Sequence, residues 1–541
     1  MIASIPPPVL RRAAQGDLIR CLALLATSCL ALPGLAAVAA DSPADRCAAL
    51  YLLSDADHAL EPGVLAPASD DTPVHCRVRG TIDGTIRFEV RMPAAGWTGR
   101  FMYHAPGGLA GAIDDTSSLL DDGFAMATTD TGHESQDDPS FLRDDHAKLN
   151  FGFRANHLTT LLAKRIIAEF YGRPAEYAYL WGCSNGGRAA LVEALRYPDD
   201  YDGIIAGAPA VDYGSGLHAW ALEATRHQKR NPLTLASVAL LDANTRRACD
   251  LIDGVADGLV GDPRKCTVEL LELDGLECAG DPSPDCLTAG QIETARYLYT
   301  GITDESGAVV VPGVYPGAEL GGDFQLWVTG PVPFLDTTAN ELSARTLKAV
   351  MHRKPGFSLD TFDAVQDLPE LRDAMVSAAV PAPDFTRFQE RGGRLIIYNG
   401  WHDHPCRARA LEGFLGEAED LNGADALDGY LRAFMVPGMV HCWGGPGAWA
   451  ADYIQAIVDW VENDVAPDRL VAEHPGDFGF LESQAVVVGR IVSWSEAILE
   501  AGAAIADRKR FTRPLCPYPQ YAQYRGSGDT DDAANFDCAE D

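Results

Sequence analysis

Apolar and polar positions change rhythm three times along the chain. Between Val78 and Met92 they alternate on either side of Asp83-Gly84 (R-G-T-I-D-G-T-I-R-F-E-V). That is the period of half-buried strands, and an Asp-Gly turn between two such runs predicts a β-hairpin. Short stretches with apolar centres follow at Arg100–His104, Phe124–Thr129, Tyr177–Trp181 and Asp202–Pro209. Runs of that length with no polar face predict strands covered on both sides. Helical spacing fills the gaps, at Asn156–Tyr171 with Asn156 as its N-cap, and at Arg188–Arg196, which stops before Pro198. Strands alternating with helices predict an α/β architecture built on a mostly parallel central sheet.

From Tyr213 to Phe388 the rhythm breaks. Helical stretches at Thr234–Ile252 and Thr288–Leu298 stand among Pro- and Gly-rich loops, with no run of buried strands. The sheet pattern resumes at Arg394–Tyr398 and Arg432–Val436. The reading is a sheet domain in two parts, residues 41–212 and 389–541, with residues 213–388 inserted as a lid. Residues 41 to about 80 read as mostly irregular, and the acidic tail after Tyr518 is expected on the surface.

The N-terminus changes the setting. Arg11, Arg12 and Arg20 flank an apolar core from Cys21 to Leu32, and small residues Ala36–Ala40 follow. Pro33-Gly34 interrupts the apolar run, which is short for a membrane span, so residues 1–40 are expected to be a cleaved export signal. A net charge of −34 disfavours nucleic acid and anionic membrane as partners and favours a monomer-tolerant protein. Of thirteen cysteines, Cys21 and Cys29 leave with the signal, so eleven remain in an oxidising compartment. Spacing suggests Cys47 with Cys76, Cys249 with Cys266, Cys278 with Cys286 and Cys516 with Cys538, although spacing alone does not fix connectivity. Cys183, Cys406 and Cys442 are left over.

Candidate chemistry centres on Trp181–Arg188, W-G-C-S-N-G-G-R. A strand, a Gly-flanked G-x-S-x-G turn and a helix form the nucleophile elbow of α/β-hydrolases, with Ser184 at its apex. The Gly-rich loop Pro106–Gly111 after an early strand is where that fold places a second oxyanion donor, although an ordinary turn accounts for its glycines equally well. A serine nucleophile needs a base and a carboxylate to orient it, in the order Ser, acid, His, each just past a strand end. The resumed sheet supplies Asp403 after one strand and His441 after the next. His404 competes as the base but stands too near Asp403 in sequence to be oriented by it. Cys183 precedes Ser184 and Cys442 follows His441, so a bridge between them would tie nucleophile to base through their neighbours. The alternative is Cys183 as a thiol nucleophile.

A second constellation lies at C-D-L-I-D-G-V-A-D-G-L, residues 249–259. Asp250, Asp253 and Asp257 among glycine turns, with the carbonyls of Val255 and Leu259, could converge hard oxygen ligands on Ca²⁺. The spacing is not that of an EF-hand, and a solvated acidic loop accounts for the composition equally well. No CxxC or HExxH pattern supports a catalytic zinc.

The chain resembles the tannase and feruloyl esterase family. The resemblance is carried by F-A-M-A-T-T-D-T-G-H, F-R-A-N-H, Y-G-R-P, G-C-S-N-G-G-R, Y-D-G-I-I-A-G-A-P-A, C-D-L-I-D-G-V-A-D-G-L, Y-N-G-W-H-D and M-V-H-C-W-G-G-P-G, between about residues 124 and 447. It implies a secreted or periplasmic serine esterase with a Ser184–Asp403–His441 triad and a Cys183–Cys442 bridge beside it. It also implies an oxyanion hole from the N–H groups of Asn185 and Gly108 (or Gly107), and a structural calcium on Asp250, Asp253, Val255, Asp257 and Leu259. Family substrates are small or polysaccharide-linked esters of aromatic acids: galloyl and feruloyl esters and, in one branch, mono(2-hydroxyethyl) terephthalate. Three stretches depart from the family pattern: His104-Ala-Pro in the oxyanion loop, His-Pro-Cys after Asp403, and His352–Phe357 in the lid. They leave acyl specificity open, with Trp327 a candidate wall. Rival readings are an esterase of another substrate class and a non-catalytic binder of phenolics or polysaccharide.

Overall fold

The structure, a computed structural model, describes residues 42–69, 72–329, 338–476 and 510–540. The expected export signal, residues 1–40, lies outside the described residues.

Strands β1 (His58–Leu60), β2 (Val64–Ala66), β3 (His75–Ile82), β4 (Ile86–Pro93), β5 (Arg100–Ala105), β6 (Phe124–Thr129), β7 (Tyr177–Cys183) and β8 (Gly203–Gly207) come first. A short hairpin, β9 (Gly301–Thr303) and β10 (Val309–Pro312), stands apart, and β11 (Arg394–Gly400) and β12 (Leu431–Val436) return to the main sheet. Its order is β1-β3-β4-β6-β5-β7-β8-β11-β12, with β2 paired to β3. From β6 to β12 every pairing in this path is parallel, while the β3–β4 hairpin joins β6 antiparallel. Its turn carries Asp83 at φ 50° and Gly84 at φ 66°, the left-handed pair that an Asp-Gly hairpin favours.

Alternate residues of the parallel strands feed separate cores. Phe101, Tyr103, Leu180, Leu395 and Ile397 pack in one cluster, and Met102, Tyr179, Ile396, Phe434 and Val436 in another. Both faces are therefore buried, which explains the continuous apolar runs in the sequence. Helices cover these faces. α1 (Pro43–Ala49) opens the described chain with a Ser42/Asp45 capping box, so this stretch is more ordered than its Pro and Asp content suggests. α2 (Asp145–Leu149) leads through a π-turn at Asn150–Arg154 into α3 (Ala155–Tyr171), and α4 (Asn185–Arg196) follows β7. The structure corrects the start of α3: Asn156 is inside the helix and does not cap it. Its buried Oδ1 accepts from the Tyr103 hydroxyl at 2.8 Å, so a core partner, not a helix end, explains this asparagine.

Between β8 and β11, which are neighbours in the sheet, the chain departs for residues 208–393 and returns. The helices Gly216–Arg230, Leu235–Cys249, Ala289–Thr300 and Thr338–Val350 fall here. Thr234 caps the second, and Thr288 with Gln291 closes a capping box on the third. The acidic tail carries a small sheet of its own. Tyr521–Tyr524 and Phe536–Ala539 form a two-stranded sheet held by Cys516–Cys538.

Among the described residues five disulfides join Cys47–Cys76, Cys183–Cys442, Cys249–Cys266, Cys278–Cys286 and Cys516–Cys538, and Cys406 is a buried free thiol. Among the described residues, no helix is long and apolar enough to cross a membrane.

Candidate active site

Strand register brings three loops to one edge. Cys183 of β7 stands opposite Gly207 of β8, Gly207 opposite Tyr398 of β11, and Gly400 opposite Val436 of β12. The residues that follow these strand ends therefore emerge together at the carboxyl edge of a parallel sheet, where such folds gather ligands.

Ser184 stands between β7 and α4 with φ 63° and ψ −120°, a conformation that costs a non-glycine residue about 1–3 kcal/mol. Its surroundings hold it there. Its N–H donates to Gly207 O at 3.0 Å, and its carbonyl accepts from Arg188 N at 2.9 Å and Ala210 N at 3.3 Å. The elbow glycines are required by approach. A Cβ on Gly186 would drive into the Ala105 carbonyl, and one on Gly187 into the Gly207 carbonyl. Arg188 anchors the helix beneath. Fully buried, it donates to the carbonyls of Gly152 (2.9 Å), Phe151 (3.0 Å) and Ala378 (3.1 Å) and to Asn185 Oδ1 (2.8 Å). Burial lowers its pKa to about 10.

His441 Nδ1 lies 2.8 Å from Asp403 Oδ2, and Asp403 Oδ1 accepts from the Cys406 N–H at 2.6 Å. Asp403 is fully buried, whereas the imidazole keeps a side-chain exposure of 12%. With Nδ1 engaged by the carboxylate, Nε2 is the ring nitrogen turned away from it, 3.8 Å from Cys442 Sγ. Burial alone would depress the imidazole pKa, but the Asp403 charge, with Cys406 adding to it, outweighs burial and holds it well above the ordinary value.

The Cys183–Cys442 bridge, with Cα atoms 6.0 Å apart, covalently links the neighbour of Ser184 to the neighbour of His441. It also removes Cys183 from consideration as a nucleophile. Cys442 has φ 65°, so both the serine and the cysteine beside the histidine occupy left-handed backbone. His404 does not face Asp403. Its N–H donates to Asp323 Oδ2 at 3.0 Å, and its ring packs edge-on against Phe324. Trp327 stands against His441 with ring centroids 5.7 Å apart and planes at 85°.

Gly108 has φ 58° and is exposed with Gly107, whose added Cβ would lie 3.4 Å from the Cys183 carbonyl, so this loop runs past the elbow. Asn185 Nδ2 ties the two together by donating to Pro106 O at 3.1 Å. As the first residue of α4, Asn185 presents an N–H with no partner inside the helix.

Sequence reasoning missed Asp323. Its Oδ2 accepts from the backbone N–H groups of both His404 (3.0 Å) and His441 (3.2 Å), joining the Asp403 loop to the His441 loop from the segment between β8 and β11. Gly321-Gly322-Asp323 carries no periodic or motif signal that could have revealed this.

In the acidic loop, Asp250 Oδ1 accepts from Gly258 N at 2.8 Å, Asp253 Oδ1 from Val255 N at 3.0 Å and Asp257 Oδ1 from Leu259 N at 3.0 Å. Arg513 pairs with Asp257 Oδ2. Burial, with the charges of Asp257 and Asp250 adding to it, outweighs the Val255 N–H and Arg513 and pushes Asp253 up to about 7. Among the described residues, side chains that bring one ligand atom each within 4.8 Å of one another are Asp403–Cys406–His441 and His157–Glu193–Asp200, so acidic clusters able to hold a metal exist in the chain. The loop carboxylates are not so closely gathered; carbonyl oxygens would have to complete their shell. A cavity of about 450 Å³ opens elsewhere, beside Lys148, His352 and Lys354, and no triad candidate lines it.

The family model described as tannase and feruloyl esterase matches residues 72–539. A probable feruloyl esterase B-2 of Aspergillus flavus is 30% identical over 426 residues, covering 73% of this chain and 79% of its own length. The mono(2-hydroxyethyl) terephthalate hydrolase of Piscinibacter sakaiensis is 30% identical over 544 aligned positions, covering 86% and 85%. Among solved structures, feruloyl esterase B of Aspergillus oryzae shares the fold with a TM-score of 0.77 at 23% identity, covering 92% of this chain and 100% of the other. The tannin acyl hydrolase of Aspergillus niger shares it with a TM-score of 0.65 at 22% identity, covering 90% and 91%. A sheet that delivers Ser, Asp and His to one edge, matched over most of its length by that family model and by such relatives, belongs to a chain of the tannase and feruloyl esterase family, a carboxylic ester hydrolase.

Proposed function

We propose that this chain is an exported serine esterase that cleaves esters of aromatic carboxylic acids through an acyl-enzyme. The observation that carries the reading is the buried Asp403–His441 pair, bonded at 2.8 Å and clamped through Cys442 to the residue before Ser184. Ser184 Oγ attacks the ester carbonyl while His441 Nε2 takes its proton, and Asp403 holds the imidazole in that tautomer and offsets the charge it gains. The N–H groups of Asn185 and Gly108 receive the oxyanion. His441 then returns the proton to the departing alcohol, and water, activated by the same base, releases the acid.

The aromatic preference rests on the names of the relatives and on Trp327, whose ring beside His441 offers an apolar wall for a flat acyl group. In this reading residues 213–388 act as the lid that shapes the acyl pocket. Ca²⁺, held by Asp250, Asp253 and Asp257 with the carbonyls of Val255 and Leu259, braces that lid and takes no part in the chemistry. Five disulfides suit an oxidising compartment outside the cytoplasm. N-terminal sequencing of exported protein should start near residue 41, and retention of residues 1–40 would reject the signal. The chain works as a monomer, which a sizing measurement returning a dimer would contradict.

Ser184→Ala should abolish turnover of ethyl ferulate, methyl gallate and mono(2-hydroxyethyl) terephthalate, and should block labelling by a serine-reactive phosphonate, while circular dichroism stays native. Retained turnover would falsify the triad. Comparing these esters with a short alkyl ester separates the aromatic reading from a general esterase, and absence of any phosphonate adduct on the wild type would favour a binding protein.

A further inference from the structure

The Cys406 thiol exchanges no proton or electron pair in the hydrolysis proposed above, yet it is buried against the Asp403–His441 pair. It is 2% exposed, outside every disulfide among the described residues, and its Sγ lies within 4.8 Å of both an Asp403 carboxylate oxygen and a His441 ring nitrogen. We propose that Asp403, Cys406 and His441 form a binding site for one thiophilic divalent cation, Zn²⁺ or Cd²⁺, whose occupancy switches the esterase off. The inhibitory half rests on the triad reading above; the binding half stands on the three side chains alone.

Ligand chemistry and spacing both suit such an ion. One thiolate, one imidazole and one carboxylate are a common donor set for zinc, with bonds of about 2.0–2.3 Å. Donors around a tetrahedral ion of that size stand about 3.3–3.8 Å apart, so side chains already within 4.8 Å need only small rotations. A harder cation such as Ca²⁺ would gain nothing from the sulfur, and the thiol therefore selects the class.

Charge points the same way. A divalent ion, an Asp403 carboxylate, a Cys406 thiolate and a neutral imidazole sum to zero, the arrangement a buried site tolerates best. Beside it sits a second buried carboxylate. Asp323 is 1% exposed, and while its Oδ2 holds the His404 and His441 N–H groups, its Oδ1 has no hydrogen-bond partner among the described residues. Its negative charge acts on Asp403. Two buried carboxylates, one on the His441 ring and one on its backbone N–H, therefore stand close together, an arrangement that favours a cation beside them. The imidazole, the exposed member of the three, provides the way in.

The proton balance explains the inhibition. The cation binds the His441 nitrogen that faces Asp403, the Nδ1 proton moves to Nε2, and the Cys406 thiol releases its proton to solvent. Nε2 is then already protonated and cannot accept the Ser184 hydroxyl proton.

The test titrates Cd²⁺ alone into the full chain and follows cadmium–thiolate charge-transfer absorption, in wild type, Ser184→Ala, Cys406→Ser and Cys406→Ala. The expected result is one thiolate-bound ion per chain in wild type and Ser184→Ala, and none in either Cys406 variant. In parallel, Cd²⁺ should inhibit ester turnover by the wild type, reversibly with a chelator that strips Cd²⁺ but leaves Ca²⁺. Cys406→Ser should need at least tenfold more Cd²⁺ for half-inhibition. A wild type without the absorption band overturns the proposal whatever the variants do, as does a Cys406→Ser enzyme inhibited at the wild-type concentration. A band that forms in Ser184→Ala while wild-type hydrolysis proves independent of Ser184 keeps the cation site and removes the triad instead.

Discussion

Deleting the bridge beside the proposed triad should disable the enzyme in two separable ways. Cys183 and Cys442 are 259 residues apart in sequence, the longest span of the five bridges. In the chain-entropy treatment, closing a loop of that length removes about 5–6 kcal/mol of unfolded-state freedom, less any native strain. The Cys278–Cys286 bridge spans 8 residues and is worth about 2.5 kcal/mol on the same basis. Cys183→Ser/Cys442→Ser should therefore lose about 3 kcal/mol more stability than Cys278→Ser/Cys286→Ser, read from guanidinium unfolding at equal m-value. The second effect is local. Asp403 and Asp323 still hold His441, and Gly207 still holds Ser184, but nothing covalent would keep base and nucleophile in reach. A drift of about 1 Å costs on the order of 10²-fold in rate. Turnover of a soluble aromatic ester, measured where both variants are folded, should fall by about that factor in the first and stay at the wild-type level in the second. Equal turnover in both variants would refute the clamp, and equal stability losses would refute the loop-length argument.

Two further outcomes follow from the site electrostatics. Because the Asp403 charge holds His441 above its ordinary pKa, and imidazolium cannot accept the serine proton, the acid limb of the kcat/KM profile should lie above pH 6.5. Asp403→Asn should shift that limb to lower pH and reduce kcat on the order of 10³–10⁴-fold; an unmoved limb contradicts the pairing. In the acidic loop, burial raises the folded pKa of Asp253 to about 7 from 3.8, so without a cation the native state holds more protons than the unfolded one across that interval. Stability then falls as pH rises from about 4 to 7, by on the order of 4 kcal/mol from this group. Ca²⁺ should flatten that slope in melting curves with and without EGTA, and identical slopes would remove the calcium site.

Much of the frame could be read from residue patterns because burial on two faces leaves a plain trace. Phe124–Ala127 and Tyr177–Trp181 are apolar without interruption, and both lie in central strands. The elbow was legible for a related reason: a turn that admits no Cβ at Gly186 or Gly187 has to write its glycines into the sequence. Asn156 misled because an asparagine near a helix start looks the same whether it caps the helix or reaches across the core to Tyr103. The small C-terminal sheet escaped notice because Tyr521–Tyr524 is only half-buried and its strands are short, with a disulfide supplying what packing does not. Asp323 and Cys406 lay beyond any local pattern. Their meaning comes from loops more than eighty residues apart meeting at one histidine.

Strands β8 and β11 lie side by side, in register from Gly203 with Arg394 to Gly207 with Tyr398, though the chain between them runs through residues 208–393. Hydrogen bonding across that seam is indifferent to what the detour contains. Whole cassettes could be exchanged at this one splice point, lengthened or rebuilt around a new acyl group, while the two strands still zip together beneath them. Any exchanged segment would still have to carry an acceptor where Asp323 stands, because that carboxylate fastens the loops of Asp403 and His441 together from inside the detour.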